Sequence, residues 1–275
     1  MAVTFTRLGD AMATAAAGVS LDRPVDDGAA EALRQAVRDN LVVCVRGQTL
    51  DPAGFRDAMA LFGTIMVPTE SNIHPEVKEV QIISHDDRAK TGKVAGFHWH
   101  TDQSFRKAPA ALTILYGVEV PATGADTQFT NMYAAYEALG RDMQRRLAGM
   151  QAVHRYRSTR SGTLARGLSE EEEAQLGEAM HPIVRTHPET GRKALYLNRN
   201  RMDRVEGLAH EESEALLDQL MAHATHEKFQ YRHRWQAGDI LVWDNRCTMH
   251  KANGDYPEGA RRMIYRVMTQ GSVPV

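Results

Sequence analysis

From Phe229 to Trp235 the side chains alternate, with Phe229, Tyr231, His233 and Trp235 on one face and Gln230, Arg232 and Arg234 on the other. A period of two is the mark of a half-buried strand. Gly238-Asp239 then turns the chain into Ile240–Trp243, a short apolar run that reads as a second strand. Comparable runs recur at Leu41–Val45, Val77–Ser84, Pro109–Val120, from Thr127 onward, and at Arg262–Thr269. His181–Thr186 and Lys193–Leu197 flank the turn sequence His187-Pro188-Glu189-Thr190-Gly191 and form a hairpin, while residues 4–20 hold one or two more short strands.

Helices are fewer and sit early or in insertions. Asp26 or Asp27 caps one that runs to Asn40 with Ala30, Leu33 and Val37 on one face, and Asp51-Pro52 opens another that stops at Gly63. Asn131 caps a third containing Tyr133, Tyr136 and Leu139, and Leu208–Thr225 is amphipathic. Two stretches read as loops: His85–Ala95, placed to cover a site, and a mobile insert over Ser158–Leu168, followed by the solvated acidic run Glu170–Glu173. With no internal repeat and no low-complexity linker, residues 1–275 form one domain, mainly β with flanking helices. Antiparallel strands in this number close into a sandwich or a double-sheet jelly roll, whose interior can hold a metal site.

Composition narrows the function classes. The chain carries 33 basic and 35 acidic residues, a formal charge of −2, so no general attraction to nucleic acid or an anionic membrane is expected. Cys44 and Cys247 lie far apart and lack CxxC spacing, which predicts neither a zinc knuckle nor a disulfide framework and fits a reducing cytoplasm. The opening MAVTFTRLGD lacks the charged and apolar regions of a secretion signal, and no run approaches the ~20 apolar residues of a membrane span. A soluble, unexported protein is expected.

Gly96–Phe105 reads GFHWHTDQSF. In an extended strand His100 and Asp102 share a face and Thr101 points the other way, so an imidazole and a carboxylate converge. With His250, near the other end of the chain, they complete a two-histidine, one-carboxylate facial set that suits ferrous iron and leaves the opposite positions open. An isolated His-x-Asp is a frequent chance pattern, and a surface coincidence is its bland alternative. Arg262, Ile264 and Arg266 share a strand face, whereas Arg261 points outward. Two inward arginines suit a dicarboxylate, because the planar guanidinium grips both oxygens of a carboxylate; solvated arginines on an edge strand are the alternative.

Taken together, HWHTD at His98–Asp102, GADT at Gly124–Thr127, WDNRCTMH at Trp243–His250 and RRMIYR at Arg261–Arg266 resemble the taurine dioxygenase and phenoxyalkanoate dioxygenase family of Fe(II)/2-oxoglutarate enzymes. HPETGRKALYLN at His187–Asn198 and MYAAYEALG at Met132–Gly140 add to the likeness, which spans residues 3–272. The resemblance implies a double-stranded β-helix, with His100, Asp102 and His250 as iron ligands. It also implies Arg262 and Thr127 as the clamp on the distal carboxylate of 2-oxoglutarate, and Arg266 near bound carboxylate or substrate anion. The implied reaction consumes O₂, converts 2-oxoglutarate to succinate and CO₂, and hydroxylates a substrate C–H bond. Where that carbon bears an ether oxygen, a sulfonate or a sulfate ester, the product fragments. Relatives are commonly dimers or tetramers, so the resemblance extends to a homo-oligomer.

Two departures bear on substrate. Gly96 stands where taurine dioxygenases have asparagine, and Arg201 replaces an aromatic residue, which points away from taurine and, with Arg199, toward a small anionic substrate. His74 and His98 are candidates for the entrance, with surface or packing roles as alternatives. Trp99 and Trp243 are read as packing, Cys247 as a small buried residue, His233 as core, and Asp244 with Asn245 as turn organisers. A zinc-type metal hydrolase and a non-catalytic iron- or oxoglutarate-binding protein are the competing functions.

Overall fold

The computed structural model describes residues 2–68, 72–84, 96–158, 171 and 177–275. The chain begins with β1 (Thr4–Arg7), β2 (Thr14–Ala17), α1 (Asp27–Asn40), β3 (Val42–Val45) and α2 (Pro52–Met59). Asp26 caps α1 by accepting from Ala29 N, and Asp51 caps α2 by accepting from Gly54 N, with Pro52 where its missing N–H costs nothing. Next come β4 (Gln81–Ser84), β5 (Leu112–Glu119) and β6 (Thr127–Asn131). Asn131 ends β6 and caps the Met132–Glu137 helix through Ala134 N. After the Arg141–Leu147 helix follow β7 (Gln151–His154), β8 (Ala179–Pro182), β9 (Val184–Thr186), β10 (Lys193–Leu195) and β11 (Met202–Val205). The His210–Ala224 helix precedes β12 (Gln230–His233), β13 (Ile240–Asp244), β14 (Thr248–Ala252) and β15 (Met263–Met268).

Two sheets form the jelly roll. One is seven-stranded, in the order β1-β2-β3-β13-β5-β15-β4, and the other is three-stranded, β12-β6-β14. The alternation along β13 explains the layers. Ile240 and Val242 face Leu33, Val37, Phe55 and Met59 of α1 and α2, whereas Leu241 and Trp243 face the interior with Leu115, Phe129, Met249 and Ile264. Burial on both faces accounts for the continuous apolar run Ile240–Trp243 of β13. The same alternation turns Thr113 of β5, Thr127 of β6, His250 of β14 and Arg266 of β15 toward the space between the sheets.

Several sequence-based expectations change. His100–Asp102 is not a strand: His100 makes one antiparallel bridge with His250, and Asp102 lies in a turn. The Val77–Ser84 strand is confined to β4. His181–Thr186 splits at Ile183 into β8, paired with β7, and β9, paired with β10, because the two halves find different backbone partners. Leu139 lies just beyond its helix. The 85–95 loop, the acidic run apart from Glu171 and nearly all of the 158–168 insert fall outside the described residues. Among the described residues no helix is long and apolar enough to cross a membrane.

Candidate active site

His100 and His250 are locked together by main chain. His100 N donates to His250 O at 3.0 Å and His250 N to His100 O at 2.8 Å, which brings the two rings to a centroid separation of 4.2 Å. The turn after His100 then carries Asp102 back beneath them. Thr101 Oγ1 donates to Asn245 O, and Asn198 Nδ2 donates to Thr101 O and Ser104 Oγ, so the turn is anchored from both sides. Asp102 Oδ1 lies 3.8 Å from His100 Nε2, and Oδ2 lies 3.7 Å from His250 Nε2. One ligand atom from each of the three residues falls within 4.8 Å of the other two.

The protonation states favour a cation. His100 Nδ1 donates to His98 O at 2.7 Å, which fixes the tautomer and leaves Nε2 with a bare lone pair. Burial lowers the His100 imidazole below its ordinary value and, with help from His100, takes His250 down to about 3. Burial pushes the Asp102 carboxyl up, but His250, Arg266, His100 and the Thr113 hydroxyl outweigh it and hold the group at about 2. Two neutral imidazoles and one ionised carboxylate make a nitrogen–oxygen donor set fit for a divalent transition metal.

Around this cluster the interior faces of the strands supply further groups. Thr127 is 3% exposed, and its Oγ1 accepts from Trp235 Nε1 at 3.0 Å, which leaves the hydroxyl proton for another acceptor. Arg262, just before β15, is 4% exposed, whereas Arg261 points out and pairs with Glu119. Arg266 donates through Nε and Nη2 to its cross-strand neighbour Gln81, with Nη1 3.7 Å from Asp102 Oδ1. Gly96 has φ +76°, and a Cβ there would sit 3.1 Å from His100 Cε1, so glycine keeps the imidazole edge open.

The remaining candidates separate. Arg201 lies over the Tyr156 ring at 4.7 Å and the Phe105 ring at 5.4 Å and donates to Tyr156 O; its charge also reaches His100. Arg199 is held by Glu214 at 2.8 Å and Asp218 at 2.9 Å, so it is spent on scaffold. His98 contributes its carbonyl to His100 while its ring rests on Phe97. His74 stands edge-on to Tyr265, which itself packs with Phe55 and Tyr116, so its ring is engaged with that aromatic group rather than with the His–Asp–His cluster. Sequence reasoning missed Thr113, Gln81, Trp235 and Asn198. The signal for Thr113 was present: it is the lone hydroxyl in the otherwise apolar run Ala110–Leu115.

The family model for "Taurine catabolism dioxygenase TauD, TfdA family" matches residues 4–268. The alpha-ketoglutarate-dependent 2,4-dichlorophenoxyacetate dioxygenase of Cupriavidus pinatubonensis is 39% identical over 189 residues, which cover 69% of this chain and 65% of that enzyme. The match therefore spans just under two thirds of that relative. Pentalenolactone F synthase of Streptomyces arenae is 32% identical over 92% of this chain and 90% of its own length. The solved structure of AAD-2 in complex with Mn(II) and N-oxalylglycine superposes with a TM-score of 0.85 at 26% identity, covering 100% of this chain and 99% of that one. The chain belongs to the taurine catabolism dioxygenase TauD, TfdA family.

Proposed function

We propose that this chain is an Fe(II)- and 2-oxoglutarate-dependent dioxygenase that hydroxylates a C–H bond of a small anionic organic molecule, with succinate and CO₂ as co-products. The observation that carries the reading is the donor set: His100 and His250 neutral, Asp102 ionised, and one atom of each within 4.8 Å. Fe(II), when bound, supplies O₂ activation coupled to oxidative decarboxylation of 2-oxoglutarate. His100, Asp102 and His250 would hold it. The remaining steps belong to side chains.

Thr127 and Arg262 grip the distal carboxylate of 2-oxoglutarate, the first with the proton that Trp235 leaves unspent and the second with a buried guanidinium. Arg266 keeps a positive charge beside Asp102, where a second anion can be received. Arg201 orients the substrate anion; its aromatic cradle of Tyr156 and Phe105 stiffens a side chain that would otherwise lose rotamer freedom on binding. Trp243 and Phe129 pack against His250 with ring centroids at 4.6 and 6.1 Å and give the site an apolar wall that limits water. Hydroxylation next to an ether oxygen, a sulfonate or a sulfate ester would yield a product that fragments. Family membership weighs against the zinc-hydrolase alternative.

The test is succinate release from 2-oxoglutarate with Fe(II) and O₂ across aryloxyalkanoates, sulfonates and sulfate esters. Release that depends on one of these anions supports the reading. Binding of 2-oxoglutarate without turnover across the set would favour a non-catalytic binding protein.

A further inference from the structure

Behind Asp102 runs a line of buried hydrogen bonds. Trp243 Nε1 donates to Asn245 Oδ1 at 3.0 Å, Asn245 Nδ2 donates to Thr113 Oγ1 at 2.7 Å, and Thr113 Oγ1 donates to Asp102 Oδ2 at 2.6 Å. The directions follow from chemistry. An indole N–H can only donate, so Asn245 must turn its oxygen to Trp243 and its amide NH₂ to Thr113. With a donor on its lone pair, Thr113 has one proton to give, and the Asp102 carboxylate oxygen accepts it. Every member is buried: Trp243 is 1% exposed, Asn245 2%, Thr113 0% and Asp102 6%. Cross-strand pairing places them, since Thr113 of β5 sits directly opposite Trp243 of β13 on the interior face.

We infer that Thr113, aligned by Asn245 and Trp243, is a positioning residue for the metal-binding carboxylate. By holding Oδ2 it stops the carboxylate from rotating and keeps Oδ1 turned toward His100 Nε2. A carboxylate fixed in advance loses no rotational freedom when a cation arrives, so the relay acts on metal affinity before any reaction occurs. The inference rests on Asp102 being a metal ligand.

The readout is Mn(II) binding to the metal-free protein, followed by electron paramagnetic resonance, with thermal unfolding recorded alongside. Thr113→Val keeps the shape and deletes the hydroxyl. It should weaken Mn(II) binding by about 10-fold, within the range typical of groups that orient metal ligands. Thr113→Ser, which restores the hydroxyl, should return binding to within about 2-fold of wild type, and that rescue separates positioning from packing. Should Thr113→Val not fold, Thr113→Ala removes the same hydroxyl with less crowding. Unchanged Mn(II) affinity in a folded hydroxyl-free variant overturns the inference, as does a loss that serine does not restore. Failure of the wild type itself to bind Mn(II) would instead overturn the metal-site reading beneath it.

Discussion

Two clusters in this molecule each join a histidine and an aspartate to a third metal-ligating side chain, yet have opposite characters. His187, Asp244 and Cys247 offer ligand atoms within 4.8 Å of one another, as His100, Asp102 and His250 do. In the first, every strong donor and acceptor is spent on protein. His187 Nδ1 accepts from Glu189 N and Thr190 N, its Nε2 donates to Asp244, and Asp244 also takes the backbone N, Nε and Nη2 of Arg246. In the second, Asp102 accepts from Thr113, and among the described residues neither Nε2 of the two histidines makes a hydrogen bond. The cluster of Cys44, His233 and Asp239 belongs with the first kind, since Asp239 is saturated by Arg46, His233 and Gln236 N. Proximity of ligand types does not mark a metal site; unspent lone pairs that face one another do.

Breaking the saturated cluster should cost fold rather than chemistry. Asp244→Ala strands Arg246 and His187 in the interior and is expected to destabilise the protein by about 3–5 kcal/mol, read by urea unfolding, while folded protein binds metal as before. Loss of metal binding without loss of stability would dissolve the distinction. The same group sets an acid dependence. Burial raises the Asp244 carboxyl, but Arg246 and His187 outweigh it and leave the folded value below the unfolded one. Its contribution is therefore fully present above the unfolded value of about 3.9 and is lost as the pH falls toward the folded value. The stability gap between wild type and Asp244→Asn should accordingly narrow between pH 5 and the acid limit, and a constant gap would mean the ion pair is not the source.

Changes to the arginines around the His–Asp–His cluster should move binding more than stability. Arg262→Ala is expected to raise the KM for 2-oxoglutarate by roughly 10- to 100-fold, the loss of a charge-assisted contact of about 1.5–3 kcal/mol. An unchanged KM would place the clamp elsewhere. Smaller still, Arg201→Leu should raise the KM for an anionic substrate by about 10-fold, the loss of one charge-assisted hydrogen bond, with little change in that for 2-oxoglutarate. Equal effects on both would show that Arg201 serves the co-substrate instead.

Much of this was legible in the chain because alternation and motif spacing point the same way. Arg262 and Arg266 were expected inward from strand phase together with the family resemblance, although Arg262 is buried just ahead of β15 rather than within it, and Asn131 was found by its capping position. His100 and Asp102 were joined for a reason the structure replaces: a single bridge to His250 followed by a turn does what an extended strand was expected to do. β7 and β11 escaped notice because four-residue segments such as QAVH and MDRV carry no periodicity of their own and are strands only through their pairing. Asn245 was read as a turn organiser, and its second partner, Thr113, lies 132 positions away. Local pattern reveals which way a side chain points, whereas its partner is chosen by the fold.

The most direct test of the central claim is an anaerobic titration of metal-free protein with Fe(II) and then 2-oxoglutarate, followed by visible absorption. A weak charge-transfer band of the iron–oxoglutarate chelate should appear in wild type and in Asp244→Asn, and should vanish in Asp102→Ala, which lacks the single carboxylate of the set. A band that survives in Asp102→Ala would contradict the assignment of His100, Asp102 and His250 as the metal site.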